Sequence, residues 1–159
     1  MFNFPFNKVS VLLLAFYLFL SSCITNDLYQ ESISFPDHEW KSDLKAEFEF
    51  TISDTISKYD VYFIMRHTEK YNYKNIWMNY YYQPPGDTAH KETREFELAT
   101  NEKGWLGTGM DDIYEHRMKL SSQPGRLRAG KYRFILENIM REDPLLHVLN
   151  VGIRLEKIK

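Results

Sequence analysis

The sequence predicts an all-β fold built as an antiparallel sandwich, and three observations carry that expectation. Apolar and polar residues alternate with a period of two in segment after segment, as half-buried strands require. Turn residues punctuate those segments, most clearly at Pro84-Pro85-Gly86 and Pro124-Gly125. Aromatic residues make up 16% of the chain, with eleven tyrosines and three tryptophans, and they suit a pleated surface better than a helix.

The first segment is not part of that domain. Lys8 precedes the apolar run VLLLAFYLFL (11–20), and small Ser21 and Ser22 follow it, the order of regions in a secretory signal peptide. The run is too short to span a bilayer comfortably, since a crossing helix needs about 20 apolar residues. Leu20-Ser21-Ser22-Cys23 resembles the lipobox of bacterial lipoproteins: a branched apolar residue, two small ones and a nucleophilic sulfur. That resemblance implies that the Cys23 thiol is alkylated with diacylglycerol and that cleavage between Ser22 and Cys23 frees its amine as the mature N-terminus; two acyl chains give stable anchoring where one gives only reversible binding. Residues 1–22 are thus read as a lipoprotein signal peptide, 23–34 as a lipidated N-terminus and tether, and 35–159 as the β-sandwich domain.

Within the domain, Phe48, Phe50 and Ile52 alternate with Glu47, Glu49 and Thr51, a half-buried strand. YDVYFIMR (59–66) is apolar on both faces and suits a central strand. NIWMNYYY (75–82) runs into the turn at Pro84, and Phe96 and Leu98 alternate with Glu95 and Glu97 beyond it. Tyr114, His116, Met118 and Leu120 share one side of the next strand, and 121–130 is a loop. GKYRFILENIMRE fits a strand in its first half, although Phe134, Ile135, Asn138 and Ile139 also fit a helical face; Ile139 to Asp143 stays open. Val151, Ile153 and Leu155 form the last strand. The sum is seven to eight strands in an immunoglobulin-like or jelly-roll-like sandwich, with a small barrel as second choice.

The composition excludes several chemistries. Cys23 is the only cysteine, so no disulfide forms within the chain, and the core must be an ordinary hydrophobic one. Net charge is −2, and the basic cluster Arg126, Arg128 and Lys131 is too short to track nucleic acid. His38, His67, His90, His116 and His147 are scattered without metal-ligand spacing, so no metal is expected. Asp111-Asp112 and Glu142-Asp143 are adjacent pairs whose members point apart in a strand, which fails the geometry of a glycosidase. GWLGTG reads as turn or bulge geometry around a buried Trp105 and not as a phosphate cradle, and no G-x-S-x-G elbow marks a nucleophile. Catalytic residues: none are expected. Trp77, Tyr80, Tyr81 and Tyr82 are a candidate interaction surface, either cross-strand packing or a platform on which sugar rings stack.

Three blocks, MRHTEKYNYKNIWM (65–78), GWLGTGMDDIYEHRM (104–118) and GKYRFILENIMREDPLLHVLNVGIRLEK (130–157), together with the lipobox, resemble the GldH family of gliding motility lipoproteins from Bacteroidetes. The most specific pieces are Arg66 with Tyr71, Tyr73 and Asn75, then Gly104-Trp105-Leu106-Gly107, then Met140-Arg141 before Val151-Gly152; Asn138 stands where the family favours glutamine. The resemblance implies a membrane-anchored, non-enzymatic component required for gliding and linked to the type IX secretion apparatus. Its partners would be other envelope proteins of that machinery. Its lipid would be the covalent one on Cys23, with no other cofactor, and its address the outer membrane, facing the periplasm. The alternative is a glycan-binding envelope lipoprotein that uses the aromatic surface; an unrecognised hydrolase is a distant third.

Overall fold

Fourteen strands and no helix occupy the described residues, 27–158, of the computed structural model. In chain order they are β1 (Asp27–Ser34), β2 (Glu39–Trp40), β3 (Ala46–Ile52), β4 (Lys58–Thr68), β5 (Asn75–Gln83), β6 (His90–Glu97) and β7 (Ala99–Thr100). There follow β8 (Gly104–Trp105), β9 (Thr108–Met110), β10 (Ile113–Lys119), β11 (Gly125–Arg126), β12 (Gly130–Asn138), β13 (Leu145–Leu146) and β14 (Val148–Ile158). The signal peptide, the Ser22/Cys23 cleavage position and the lipidated Cys23 lie outside the described residues.

The eight long strands pair as one folded hairpin. The turn at Pro84–Asp87, with Pro85 second and positive-φ Gly86 third, sends β6 back along β5. Outward from that tip β10 pairs with β4, β12 with β3, and β14 with β1, all antiparallel. Rolling this ribbon up joins β14 to β4 and β12 to β5, giving sheets ordered β1-β14-β4-β10-β9 and β3-β12-β5-β6. That is the strand order of a jelly roll, so of the two sandwich forms open from sequence the structure adopts the second.

The period of two does the sorting. In β3, Ala46, Phe48, Phe50 and Ile52 are buried and the residues between them exposed. Tyr132, Phe134 and Leu136 of β12 face the same interior, and Phe50 stacks on Tyr132 at 5.5 Å and on Phe134 at 5.7 Å. Across the gap Phe63 meets Phe96 at 5.9 Å, and Tyr29 meets Phe50 at 5.1 Å. Each such side chain contributes roughly 1.5–3 kcal/mol when fully buried. On the outer face Arg133–Glu47 (2.5 Å) and Lys131–Glu49 (2.6 Å) bridge β12 and β3, but they are exposed, and pairs of that kind add only about 0–1 kcal/mol.

Three expectations from sequence need correction. The strand count exceeds seven to eight, because six short strands of two or three residues accompany the eight long ones. Residues 27–34 are not tether: they form edge strand β1, with Tyr29 and Ile33 packed against the core, so the domain begins before Phe35. Strand β6 starts at His90 and ends at Glu97, which leaves Leu98 outside it; its polar composition, HKETREFE, hid its length. The helical alternative for 130–143 is not taken, since β12 runs as strand to Asn138.

Gly152 shows how closely β1 is applied. It lies opposite Ser32, and a Cβ added there would collide with the Glu31 carbonyl oxygen and the Ser32 hydroxyl. Gly152→Val should therefore detach β1 while leaving β4–β14 paired. The expected result is a loss of about 1–3 kcal/mol in urea unfolding, with faster amide exchange concentrated in residues 29–33.

Candidate functional site

One end of the sandwich gathers aromatic rings from two of the sequence blocks. Strand β4 delivers His67, the turn after it delivers Tyr71 and Tyr73, β8 delivers Trp105, and β10 delivers Tyr114 and His116. The His67 ring lies 4.4 Å from Trp105, 5.0 Å from Tyr71 and 5.0 Å from His116, centroid to centroid. The Tyr71 hydroxyl donates to the Asn75 carbonyl at 3.1 Å, which closes the turn and explains why Tyr71 and Asn75 travel together. Gly104 has φ of +67°, and a Cβ on Gly107 would sit 2.5 Å from the Glu115 carbonyl oxygen and 2.9 Å from His116 Nε2. The expected turn geometry around Trp105 is thus present, but Trp105 is half-buried and not buried as the sequence suggested, because it lines an open hollow with Tyr71 and Tyr73.

The two histidines are buried and bonded to each other. His67 Nδ1 is 2.7 Å from the Thr68 carbonyl oxygen, which can only accept, so Nδ1 carries the proton and Nε2 of the neutral ring is an acceptor. His116 Nε2 lies 2.9 Å from it and must donate. Burial pushes His67 below the usual histidine value, against the opposing pull of the Thr68 carbonyl. Burial, then the neighbouring His67, pushes His116 down to about 4. Both rings are therefore neutral near pH 7. Among the described residues no group of three or more His, Cys, Asp or Glu could hold a metal.

Beside this cluster the surface is apolar and open. Trp77 and Ile139 are each 41% exposed. The Ile139 amide donates to the Trp77 carbonyl at 3.1 Å, and the Trp77 amide meets Met140 Sδ at 3.2 Å. Tyr73 separates two shallow hollows, one of about 450 Å³ floored by Trp77, Ile139, Met140 and Arg141, the other of about 270 Å³ against Tyr71 and Trp105. All three sequence blocks meet here. At the opposite end a cleft of about 380 Å³ lies between the sheets, walled by Phe50, Tyr80, Tyr82 and Leu127.

The aromatic run 77–82 does not form the single surface expected from sequence. Strand alternation turns Tyr80 inward, 4% exposed, and puts Tyr82 in the inter-sheet cleft, while Trp77 and Tyr81 take the other face. The Tyr80 hydroxyl donates to Glu92 at 2.6 Å, and Lys45 and Lys91 flank the Tyr81 ring at 5.8 and 5.5 Å. Of the remaining histidines, His38 and His147 sit at positive φ, and His90 stacks on Tyr82. The carboxylate pairs bind loops: Asp143 accepts from the Ser42 amide and hydroxyl, which hold it below its usual range, and Glu142 accepts from Asn72. Asp111 lies in a positive-φ turn.

The fold and this end of it define a small all-β domain whose distinctive residues build a packed aromatic wall under an exposed apolar surface. The chain belongs to the GldH lipoprotein family, whose profile matches residues 27–155. It is 28% identical over 156 residues to a gliding motility lipoprotein GldH homolog of Christiangramia forsetii, covering 93% of this chain and 95% of that one. It is 25% identical over 157 residues to gliding motility lipoprotein GldH of Flavobacterium johnsoniae, covering 94% and 97%. Among solved structures, a carbohydrate-binding module specific for non-crystalline cellulose overlaps with a TM-score of 0.45 at 12% identity, covering 82% of this chain and 73% of that one.

The buried neutral histidines make stability depend on pH. Their folded values lie below the 6.5 of an unfolded histidine, so on acidification the unfolded chain takes up protons first. Stability is full above pH 6.5 and is lost as pH falls toward about 4. The unfolding midpoint should drop between pH 7 and about pH 5, where most carboxylates remain ionised. His116→Gln, which keeps a donor for His67, should flatten that drop by about half. A wild-type midpoint flat across the window contradicts the assignment.

Proposed function

We propose that this chain is a lipid-anchored envelope lipoprotein that serves gliding motility by binding its neighbours and not by catalysis. The observation that carries the reading is family membership along nearly the whole domain, residues 27–155, joined to the lipobox at Leu20–Cys23. Two acyl chains on Cys23 hold it to the outer membrane on the periplasmic side, and that covalent lipid is its only non-protein group. Its partners are proteins of the gliding machinery and of the type IX secretion apparatus that supplies it. The surface around Tyr73, Trp77, Ile139 and Met140 is the contact site, since it exposes large apolar side chains beside a rigid aromatic wall.

Two experiments test the reading from different sides. Cys23→Ala removes the sulfur that lipid needs, so uncleaved precursor should accumulate and a radiolabelled fatty acid should no longer enter the protein; a wild type that takes up no label refutes the anchor. Trp77→Ala with Ile139→Ser leaves the core untouched and should change folding stability by less than about 1 kcal/mol. Loss of a central aromatic anchor weakens an interface by about 2 kcal/mol, roughly 30-fold, so spreading on agar should fail while protein level and fractionation stay normal. Normal spreading in that variant sinks the contact site.

A further inference from the structure

Chain length limits how far Cys23 can lie from one end of the sandwich. Asp27 opens β1 opposite Glu156, and Ile158, Lys58 and Arg126 come together at the same end through β14, β4 and β11. Cys23 lies four residues before Asp27, so even a fully extended chain keeps its sulfur within about 14 Å of that end. The aromatic end lies the length of β4 away, roughly 36 Å for eleven residues.

Charge is sorted along the same axis. The connections that turn at the anchor end, 53–57, 84–89 and 120–129, carry two Arg against two Asp, and Lys58, Lys91 and Lys131 at the starts of the strands they lead into add three positive charges. Those at the aromatic end, 35–45, 69–74, 98–112 and 139–147, carry six against nine Asp or Glu. The whole chain is −2, so the positive excess is local. At the tip of the anchor end stands Ile56, 81% exposed. Its loop is pinned: the Ile56 and Ser57 amides donate to Asp54 Oδ1 at 2.9 and 3.2 Å, and Lys157 meets Asp54 Oδ2 at 2.6 Å. A large apolar side chain is thus held out from a basic rim.

We propose that this end is a membrane-contact surface, in which Lys58 and Arg126 lie on anionic lipid headgroups and Ile56 enters the interface, while Arg128 and Lys131 stand beside them paired with Asp87 at 3.1 Å and Glu49 at 2.6 Å. The proposal rests on the anchored reading above. Headgroup attraction decays over a Debye length of about 8 Å, and the short link to Cys23 keeps the basic rim within one or two such lengths. Each Lys or Arg near an anionic surface strengthens association roughly fivefold. The domain therefore stands upright on the bilayer with its aromatic end pointing away.

The test uses the full lipidated protein purified from native membranes and reconstituted into vesicles of phosphatidylcholine, alone or with phosphatidylglycerol. Lipid occupies the Cys23 sulfur, so Ile56→Cys and Met110→Cys each give one labelling position, at the anchor and aromatic ends respectively. With phosphatidylglycerol present, a lipid-borne quencher should dim position 56 at least about threefold more than position 110, and high salt or Lys58→Glu with Arg126→Glu should close the gap. Equal quenching at the two positions, in protein that floats with the vesicles, overturns the proposal. So does a position 56 shielded from lipid that crosslinks to a protein in cells. Protein that floats with neither vesicle refutes the anchored reading instead.

Discussion

Ten residue pairs join β14 to β4, from Val148 opposite His67 to Ile158 opposite Lys58. The larger sheet has no centre without them. β14 lies between β1 and β4, so the last strand of the chain occupies the middle of the sheet, and the first strand has no partner until the last arrives. Contacts this distant in sequence cost loop-closure entropy before they return any burial, which makes the ladder a late and cooperative step in folding. It also sets the two ends of the molecule. Ile158 opposite Lys58, with Asp27 opposite Glu156 on the next strand, brings the start of β1 to one end, and Val148 opposite His67 seats the aromatic cluster at the other.

The polar groups inside this framework fix its register. Sliding β10 by one residue against β4 would send His116 and Met118 outward and bring Glu115 and Arg117 in, against both the hydrophobic pattern and the histidine hydrogen bond. An apolar pair at 67 and 116 would bury equally well but would tolerate the slip better. Asp60, 4% exposed on the outer face of β4, works in the same way through Lys119 at 2.8 Å, across the same pair of strands. Buried polar groups of this kind add specificity more than net stability, because their mutual attraction is largely offset by the cost of removing them from water.

Much of this fold was legible in the sequence because β3 alternates cleanly and β4 is apolar on both faces. Phe48, Phe50, Ile52 and Val61, Phe63, Met65 announce both their strands and their buried faces. Strand β1 was not legible, since only Tyr29 and Ile33 pack against the core and Gln30, Glu31 and Ser32 between them resemble linker. The reading of Trp77, Tyr80, Tyr81 and Tyr82 as one surface failed for a reason already in the sequence: neighbours in a strand face opposite ways. The site that did emerge was only half visible. Placing His116 on the apolar face of its strand was correct, but His67 lies 49 residues away, and nothing local reports that the two rings meet. Met140 beneath Trp77 is a pairing of the same kind, made by topology and not by spacing.

The cluster under Tyr73 bears on how a contact site here would work. Exposed aromatic side chains on a loose loop lose rotamer freedom when a partner arrives, at about 0.5–1.5 kcal/mol for each one immobilised. In this protein Tyr73 packs on Tyr71 at 5.9 Å, Tyr71 on His67 at 5.0 Å, and His67 on Trp105 at 4.4 Å, so the base of the surface is ordered before any partner binds. The hydrogen bond of Tyr71 to Asn75 leads straight into β5 and so to Trp77, which ties the exposed ring to the same wall. Neutral histidines matter to that rigidity. A charge on either ring would be buried among Trp105, Tyr71 and Tyr114, and relieving it would open the wall on which Tyr73 rests. The same feature that couples stability to pH therefore couples the shape of the exposed surface to the packing behind it.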